Sequence, residues 1–294
     1  MTDEQLPDQN IPDQDTEYRV VPASNGILWI KRAITLFKRN PAAWLSCSLV
    51  LTFSFIFLLL VVVLIPPLFP ASFILSSIYL GGLMLGSHQL YQFKEFQVRH
   101  LFAGFERNTA ALCIIGLIYF AGTFVSSLIG VSFSEMVGFK FPEPEAIQNA
   151  MTDQKLAQDL LGTLLLPTLI AMGFLIPVLM AFWFAPAIAV LFEEKPIAAM
   201  LKSMKACAVN TLPFLVYGIV ATFAILFLSI IASVIGLYIP IFGVFLKFVL
   251  QLAFTSILIA SIYTSFEDIF PGLNHQKKQK NENDIDQNSN SLIV

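Results

Sequence analysis

Six stretches of this chain are long enough and apolar enough to cross a lipid bilayer. The run from 42 to 65 contains no charged residue and ends at the consecutive prolines Pro66 and Pro67. A helix that rises about 1.5 Å per residue needs roughly 20 such residues to cross the hydrocarbon layer. The same criterion predicts six spans, which are 42–65, 71–91, 109–133, 160–192, 212–235 and 241–266.

Composition agrees with a membrane protein, because hydrophobic residues make up 56% of the chain and charged residues only 13%. In soluble domains about a quarter of the residues are charged. The sequence therefore predicts an all-α fold, a polytopic bundle of transmembrane helices with a membrane domain at 25–268.

The fourth apolar run, 160–192, is too long for one straight span and short for two. A straight helix of this length would reach roughly 50 Å. We predict one long helix with a kink near Pro167, Pro177 or Pro186, because proline removes a helical hydrogen bond. The alternative, a broken hairpin, would carry Lys195, Lys202 and Lys205 to the outside.

The distribution of basic residues predicts the orientation of the spans. Six crossings with both termini in the cytoplasm place 14 of the 17 Lys and Arg residues inside, as the positive-inside rule requires. The external segment 134–159 then carries only Lys140 and Lys155 beside five acidic residues. The predicted location is a plasma membrane crossed several times.

Polar tails flank the membrane domain. Residues 1–24 are predicted to be a disordered acidic tail, since the first 18 residues hold six acidic side chains and no basic one. This stretch lacks the basic start and short apolar core of a cleavable signal, so the first span is the predicted insertion signal. Residues 269–294 form a second polar tail, predicted to be cytoplasmic.

A short phrase occurs twice, each time just before a span. LFKRNPAAW at 36–44 and GFERNTAAL at 104–112 match at five of nine positions. The markers of the repeat are Phe37, Arg39, Asn40, Phe105, Arg107 and Asn108, and Asn210 stands before a third span.

The simplest interpretation is three units, each made of a surface helix and a transmembrane hairpin, at 25–95, 96–194 and 195–268. The first surface helix would carry apolar residues on one face and basic residues on the other. The alternative is that basic residues and Asn gather before any span that starts inside the cell.

The runs NGILWIKRAITLFKRNPAAW and KPIAAMLKSMKACAVNTLPFLVYG resemble a family of bacterial integral inner-membrane proteins. That family is distantly similar to the membrane domain attached to some glycerophosphodiester phosphodiesterases. The resemblance covers about residues 19–268 and implies a helical protein of the inner membrane, without implying an activity.

Span six carries the one charged side chain predicted at membrane depth, Lys247. With Gln251 and Thr255 it forms a polar stripe at helical spacing, and no Asp or Glu lies inside any predicted span. Such residues mark function when they face the interior of a bundle. In the alternative, the lysine extends along the lipid toward the interface.

No other pattern predicts a reaction. The three histidines have no carboxylate at a metal-binding spacing, and no GxSxG, HExxH or P-loop motif occurs. The sequence therefore predicts no catalytic residue, metal, cofactor or nucleic-acid partner. The predicted partners are membrane lipids, with anionic headgroups at the cytoplasmic face.

These observations favour a non-enzymatic protein that organises the membrane or supports assembly. The alternative is a transporter or lipid-handling protein with a central cavity near Lys247, and a membrane enzyme ranks third.

Overall fold

The computed structural model describes residues 18–92, 95–136 and 153–271. Within these ranges the chain forms helices and no strand. Two 3-10 helices occupy Pro66–Leu68 and Val98–Phe105. The α-helices are α1 Asn25–Arg39, α2 Pro41–Leu64, α3 Pro70–Tyr91, α4 Thr109–Met136, α5 Gln154–Trp183, α6 Ala185–Leu191, α7 Pro196–Val209, α8 Thr211–Tyr238 and α9 Pro240–Ile269.

Six helical segments are long and apolar enough to cross a membrane, which confirms the predicted all-α polytopic bundle. They are α2, α3 with its preceding 3-10 turn, α4, α5 with α6, α8, and α9. Proline occupies the first position of α2, α3, α7 and α9, where its missing N–H leaves no helical hydrogen bond unmade. The chain is a multi-pass membrane protein.

The predicted kink in the fourth run lies at Phe184, just before Pro186. The helix continues through Pro167 and Pro177, then breaks between α5 and α6. Ser203 of α7 lies at the break, where its Oγ accepts the Phe184 N–H at 2.9 Å and donates to Met180 O at 2.6 Å. One hydroxyl therefore satisfies two backbone groups that the break exposes.

Three short segments lie at one end of the bundle, each directly before a span: α1, Val98–Phe105 and α7. We call them the basal segments, and their end of the bundle the basal end. The second is a 3-10 helix, whereas the first and third are α-helices. Its N-terminus is closed by a capping box between Gln97 and His100.

The basal segments pack in a cyclic order, each against the hairpin that comes before it. Val98–Phe105 contacts α2 and α3, and α7 contacts α4 and α5. The first segment, α1, closes the cycle by contacting α8 and α9, the last hairpin of the chain. Each basal segment therefore joins two of the three predicted units.

Glycines permit the close approach of these elements. A Cβ on Gly82 would lie 2.5 Å from His100 O, and a Cβ on Gly86 would lie 2.5 Å from a ring carbon of Phe96. This GxxxG pair therefore packs against the second basal segment of its own chain.

The core lies at the basal end. The largest fully buried side chains there include Trp29, Trp44, Phe184 and Tyr263. Toward the opposite end, most large apolar side chains of the spans are exposed, for example Phe57, Phe223 and Leu237. Lipid would cover these side chains in a membrane, since soluble proteins rarely expose so large an apolar surface to water.

Candidate functional site

The most densely bonded polar group at the basal end is the carboxylate of Asp268, near the end of α9. Its side chain is only 3% exposed. Oδ2 accepts hydrogen bonds from Asn25 Nδ2 at 2.7 Å and Trp29 Nε1 at 2.9 Å. Oδ1 accepts from Arg19 Nη2 at 2.8 Å, with Arg32 Nη1 at 3.5 Å. A buried carboxylate is stable only with such partners, and here they tie α1 and the chain before it to α9.

Asn210, at the junction of α7 and α8, holds the same N-terminal segment from its other side. Its Oδ1 accepts the Val21 N–H at 2.9 Å, and its Nδ2 donates to Arg19 O at 3.1 Å and Ala206 O at 2.9 Å. The amide is fully buried. The predicted disordered tail, 1–24, is therefore too long, because residues 19–21 are bonded into the domain. Its first 17 residues lie outside the described residues.

The predicted C-terminal boundary of the membrane domain, residue 268, also needs correction. Ile269 and Phe270, which the sequence assigned to the C-terminal tail, are buried. The Phe270 ring stacks on Phe266 with centroids 4.9 Å apart. Residues from 272 onward lie outside the described part of the chain, as do Lys94, Lys140 and most of the external segment 134–159.

The two other junction asparagines make equivalent bonds. Asn40 donates from Nδ2 to Phe96 O at 2.9 Å, just before the second basal segment. Asn108 donates from Nδ2 to Ala189 O at 2.8 Å, and to Glu194 O at 3.4 Å just before the third. Asn210 binds the chain just before the first segment, so the three amides follow the same cyclic order as the packing.

Asn108 also has a positive φ of 53°. Asn tolerates this left-handed conformation better than other residues with a side chain, which is a second reason for Asn at this junction. The repeat markers Phe37, Arg39, Phe105 and Arg107 lie beside the junctions. Arg39 donates to Leu90 O at 3.1 Å, and Arg107 pairs with Glu193 at 2.7 Å.

Two ion pairs occupy matching positions relative to the junction asparagines. Arg32 precedes Asn40 by eight residues and contacts Asp268, whereas Lys202 precedes Asn210 by eight residues and pairs with Glu194. His100 stands at this position before Asn108. Burial lowers the pKa of His100, and its neutral Nδ1 accepts the Gln97 N–H at 2.9 Å.

A second polar cluster joins α3 to α9 at the basal end. His88 Nδ1 lies 2.8 Å from the Tyr263 hydroxyl, and Gln92 Nε2 lies 2.9 Å from His88 Nε2. Nearby, the Tyr91 hydroxyl donates to Glu267 Oε1 at 3.1 Å. These bonds link two returning spans, those of the first and third predicted units.

The predicted intramembrane stripe lies elsewhere. Lys247 and Gln251 are exposed on α9, and the Gln251 amide donates to the Thr255 hydroxyl at 3.2 Å. The neighbouring Ser256 instead faces α2, where its hydroxyl lies 2.7 Å from Ser48 Oγ. The exposed position of Lys247 favours the lipid-facing alternative for this residue.

Asp268 is the residue that sequence reasoning missed, because it lies two residues beyond the predicted end of span six. A signal was present in the sequence. The triplet Phe266-Glu267-Asp268 resembles Phe192-Glu193-Glu194. The last residue of each triplet pairs with a basic side chain of a basal segment. The third such triplet, at 93–95, falls partly outside the described residues.

Within the ranges that the structure describes, no three His, Cys, Asp or Glu side chains come together as metal ligands. The basal cluster binds its own chain, since the Asp268 oxygens accept hydrogen bonds from three side chains and form an ion pair with a fourth, Arg32. No family model, curated protein or solved structure matches this chain, so the site is interpreted from its own residues.

Proposed function

We propose that this chain is a non-enzymatic protein of the bacterial inner membrane that organises membrane lipid or supports assembly through its basal segments. In this proposal the basal end lies at the cytoplasmic face and both termini are inside. The excess of Lys and Arg in the basal segments and their flanks supports this orientation.

The observation that carries the proposal is the chemistry of the outer surface of the basal segments. Each has exposed large apolar side chains together with an exposed cation, the combination that suits a membrane interface. The residues are Ile27, Leu28 and Lys31 on α1, Arg99, Phe102 and Phe105 on the second segment, and Ile197, Leu201 and Lys205 on α7.

The three units are proposed to be repeats of one ancestral element. The cyclic packing and the three asparagines support this relationship, and so does a shared pattern of burial. Ala33, Leu101 and Ser203 each precede a junction asparagine by seven residues, and all three are fully buried. A repeat axis along the membrane normal would place the three basal segments at one face.

A lipid-handling function is the second candidate. The hairpins α4 with α5 and α8 with α9 expose most of their apolar surface, and few contacts join α5 to α8. The family resemblance noted from the sequence implies no activity that would choose between the two candidates.

The proposal is tested with a variant that removes one exposed cation from each basal segment, Lys31→Gln, Arg99→Gln and Lys205→Gln. The three tryptophans Trp29, Trp44 and Trp183 all lie near the basal end, so quenching by brominated lipids reports on that end. Preference for brominated phosphatidylglycerol over phosphatidylcholine is expected to fall, by about 1 kcal/mol or fivefold for each cation.

Lys155→Gln is the matched control, because Lys155 lies at the start of α5 at the opposite end of the bundle. It should leave the lipid preference unchanged. An unchanged preference in the triple variant would show that the basal cations do not select anionic lipid.

A further inference from the structure

Small residues occupy matching positions in the three outward spans, eight residues after each junction asparagine: Ser48, Gly116 and Gly218. In two units a returning span packs against the small residue, and this span belongs to the unit that comes before it in the cyclic order. Ser48 bonds Ser256 of α9 at 2.7 Å, and a Cβ on Gly116 would lie 2.5 Å from Ile74 Cα of α3. Small residues permit such close helix contacts in membranes.

Gly218 has no such partner among the residues that the structure describes. A Cβ built there would meet no atom within 4 Å. A groove of about 350 Å³ lies here, lined by Phe214, Leu215, Gly218, Ile219, Thr222 and Phe223. Five of these residues are apolar or glycine, and the hydroxyl of Thr222 is the one polar side chain among them. At Ser48 and Gly116 a neighbouring helix occupies the space beside the small residue. At Gly218 the corresponding space, which we call a notch, is empty.

Helix α5 contacts α8 near the basal end but does not line the groove. At the basal end Trp183 contacts Phe214 and Tyr217, with ring centroids 5.7 and 6.2 Å apart. Beyond that point α5 packs against α4, where a Cβ on Gly122 would lie 2.8 Å from Val178. Above Trp183 the groove face of α8 is therefore exposed, with Leu215, Ile219 and Phe223 between 48% and 70% exposed.

We propose that this groove on α8 binds one acyl chain of an anionic phospholipid from the leaflet at the basal end. The groove residues lie within about 18 Å of the start of α8, which is close to the depth of one leaflet. An apolar groove at this depth excludes water, so a lipid chain is the occupant that matches its surface. Lys205, exposed on α7, supplies a cation at the same face for the headgroup.

This site goes beyond the interfacial contacts proposed above, because it selects a lipid by a groove inside the hydrocarbon layer. The two also fail separately. The double variant Lys31→Gln and Arg99→Gln keeps Lys205, so it should lower the tryptophan-quenching preference for phosphatidylglycerol and leave the acyl-chain contact with the groove unchanged.

The test uses the full chain in vesicles that contain phosphatidylglycerol with a photoreactive group in its acyl chain, and maps the products by mass spectrometry. In the wild type, label is expected on 211–225. Gly218→Trp fills the groove and should lower this labelling about tenfold or more. Gly173→Trp is the matched control, because Gly173 on α5 also has no atom within 4 Å of its Cβ position and does not line the groove.

Three results would overturn the proposal. They are no label on 211–225 in the wild type, equal labelling in Gly218→Trp, and equal labelling by a photoreactive phosphatidylcholine. Thr222→Trp is a second variant that narrows the same groove, and it replaces Gly218→Trp if that protein does not insert.

Discussion

Replacing Asp268 with Ala is expected to lower the free energy of unfolding by about 2 to 4 kcal/mol. The change leaves the buried Trp29 Nε1–H without its acceptor and removes the carboxylate that Arg19 and Asn25 bind. Because α1 and the preceding segment then lose their link to α9, the N-terminal segment should also become open to proteases. Thermal unfolding in detergent, followed by tryptophan fluorescence, measures the first effect, and limited proteolysis measures the second.

The matched control is Glu193→Ala, which removes an exposed ion pair at the same end. The side chains of Arg107 and Glu193 are 56% and 64% exposed, so water already solvates both charges. Such a pair contributes about 1 kcal/mol or less. Equal losses of stability in the two variants would mean that burial of Asp268 does not anchor α1.

Gly116→Ala and Gly218→Ala are expected to change stability in opposite directions, although both glycines lie eight residues after a junction asparagine. A methyl group at 116 would lie 2.5 Å from Ile74 Cα and 2.8 Å from Phe73 O, so α3 must move away from α4. Overpacking of this kind costs about 1 to 3 kcal/mol. A methyl group at 218 meets no atom, and the higher helix propensity of Ala should stabilise α8 by up to about 1 kcal/mol.

Thermal unfolding of both variants in the same detergent provides the comparison. Gly173→Ala is the control for helix propensity alone, since its Cβ position is also open. A loss of stability in Gly218→Ala similar to that in Gly116→Ala would show that another helix packs on Gly218, and that the groove is covered.

The spans were predictable because their signal is local. An apolar run such as 42–65 must leave water whatever its neighbours are, so length and hydropathy alone predict α2. The junction asparagines were visible for the same reason, since a short repeated phrase depends only on the chain near it. Pro186 was one of three candidates for the kink, and choosing it required the position of Ser203 on α7.

The candidate sites depend on contacts between distant parts of the chain, and the sequence shows these poorly. Asp268 lies two residues beyond the predicted end of span six, and hydropathy cannot reveal that Trp29 and Asn25 surround it. Lys247 drew attention as a charge at membrane depth, yet hydropathy gives no direction for its side chain. Gly116 and Gly218 hold matching positions in the sequence, and only the structure shows that α3 packs on Gly116 while the Gly218 Cβ position has no atom within 4 Å.

Labelling of single cysteines tests most directly whether the three basal segments lie at the cytoplasmic face. The native Cys47, Cys113 and Cys207 are first replaced with Ala, although burial already raises the pKa of the Cys207 thiol to about 12 and makes it a poor nucleophile. Cysteine is then introduced singly, as Lys31→Cys, Arg99→Cys, Lys205→Cys or Glu145→Cys.

A membrane-impermeant maleimide is applied to sealed cells and to inverted vesicles. We expect the cysteines at 31, 99 and 205 to react only in inverted vesicles, and the cysteine at 145, in the predicted external segment, to react only in sealed cells. Labelling of any of the three basal positions from outside sealed cells would contradict the cytoplasmic placement on which the proposed function depends.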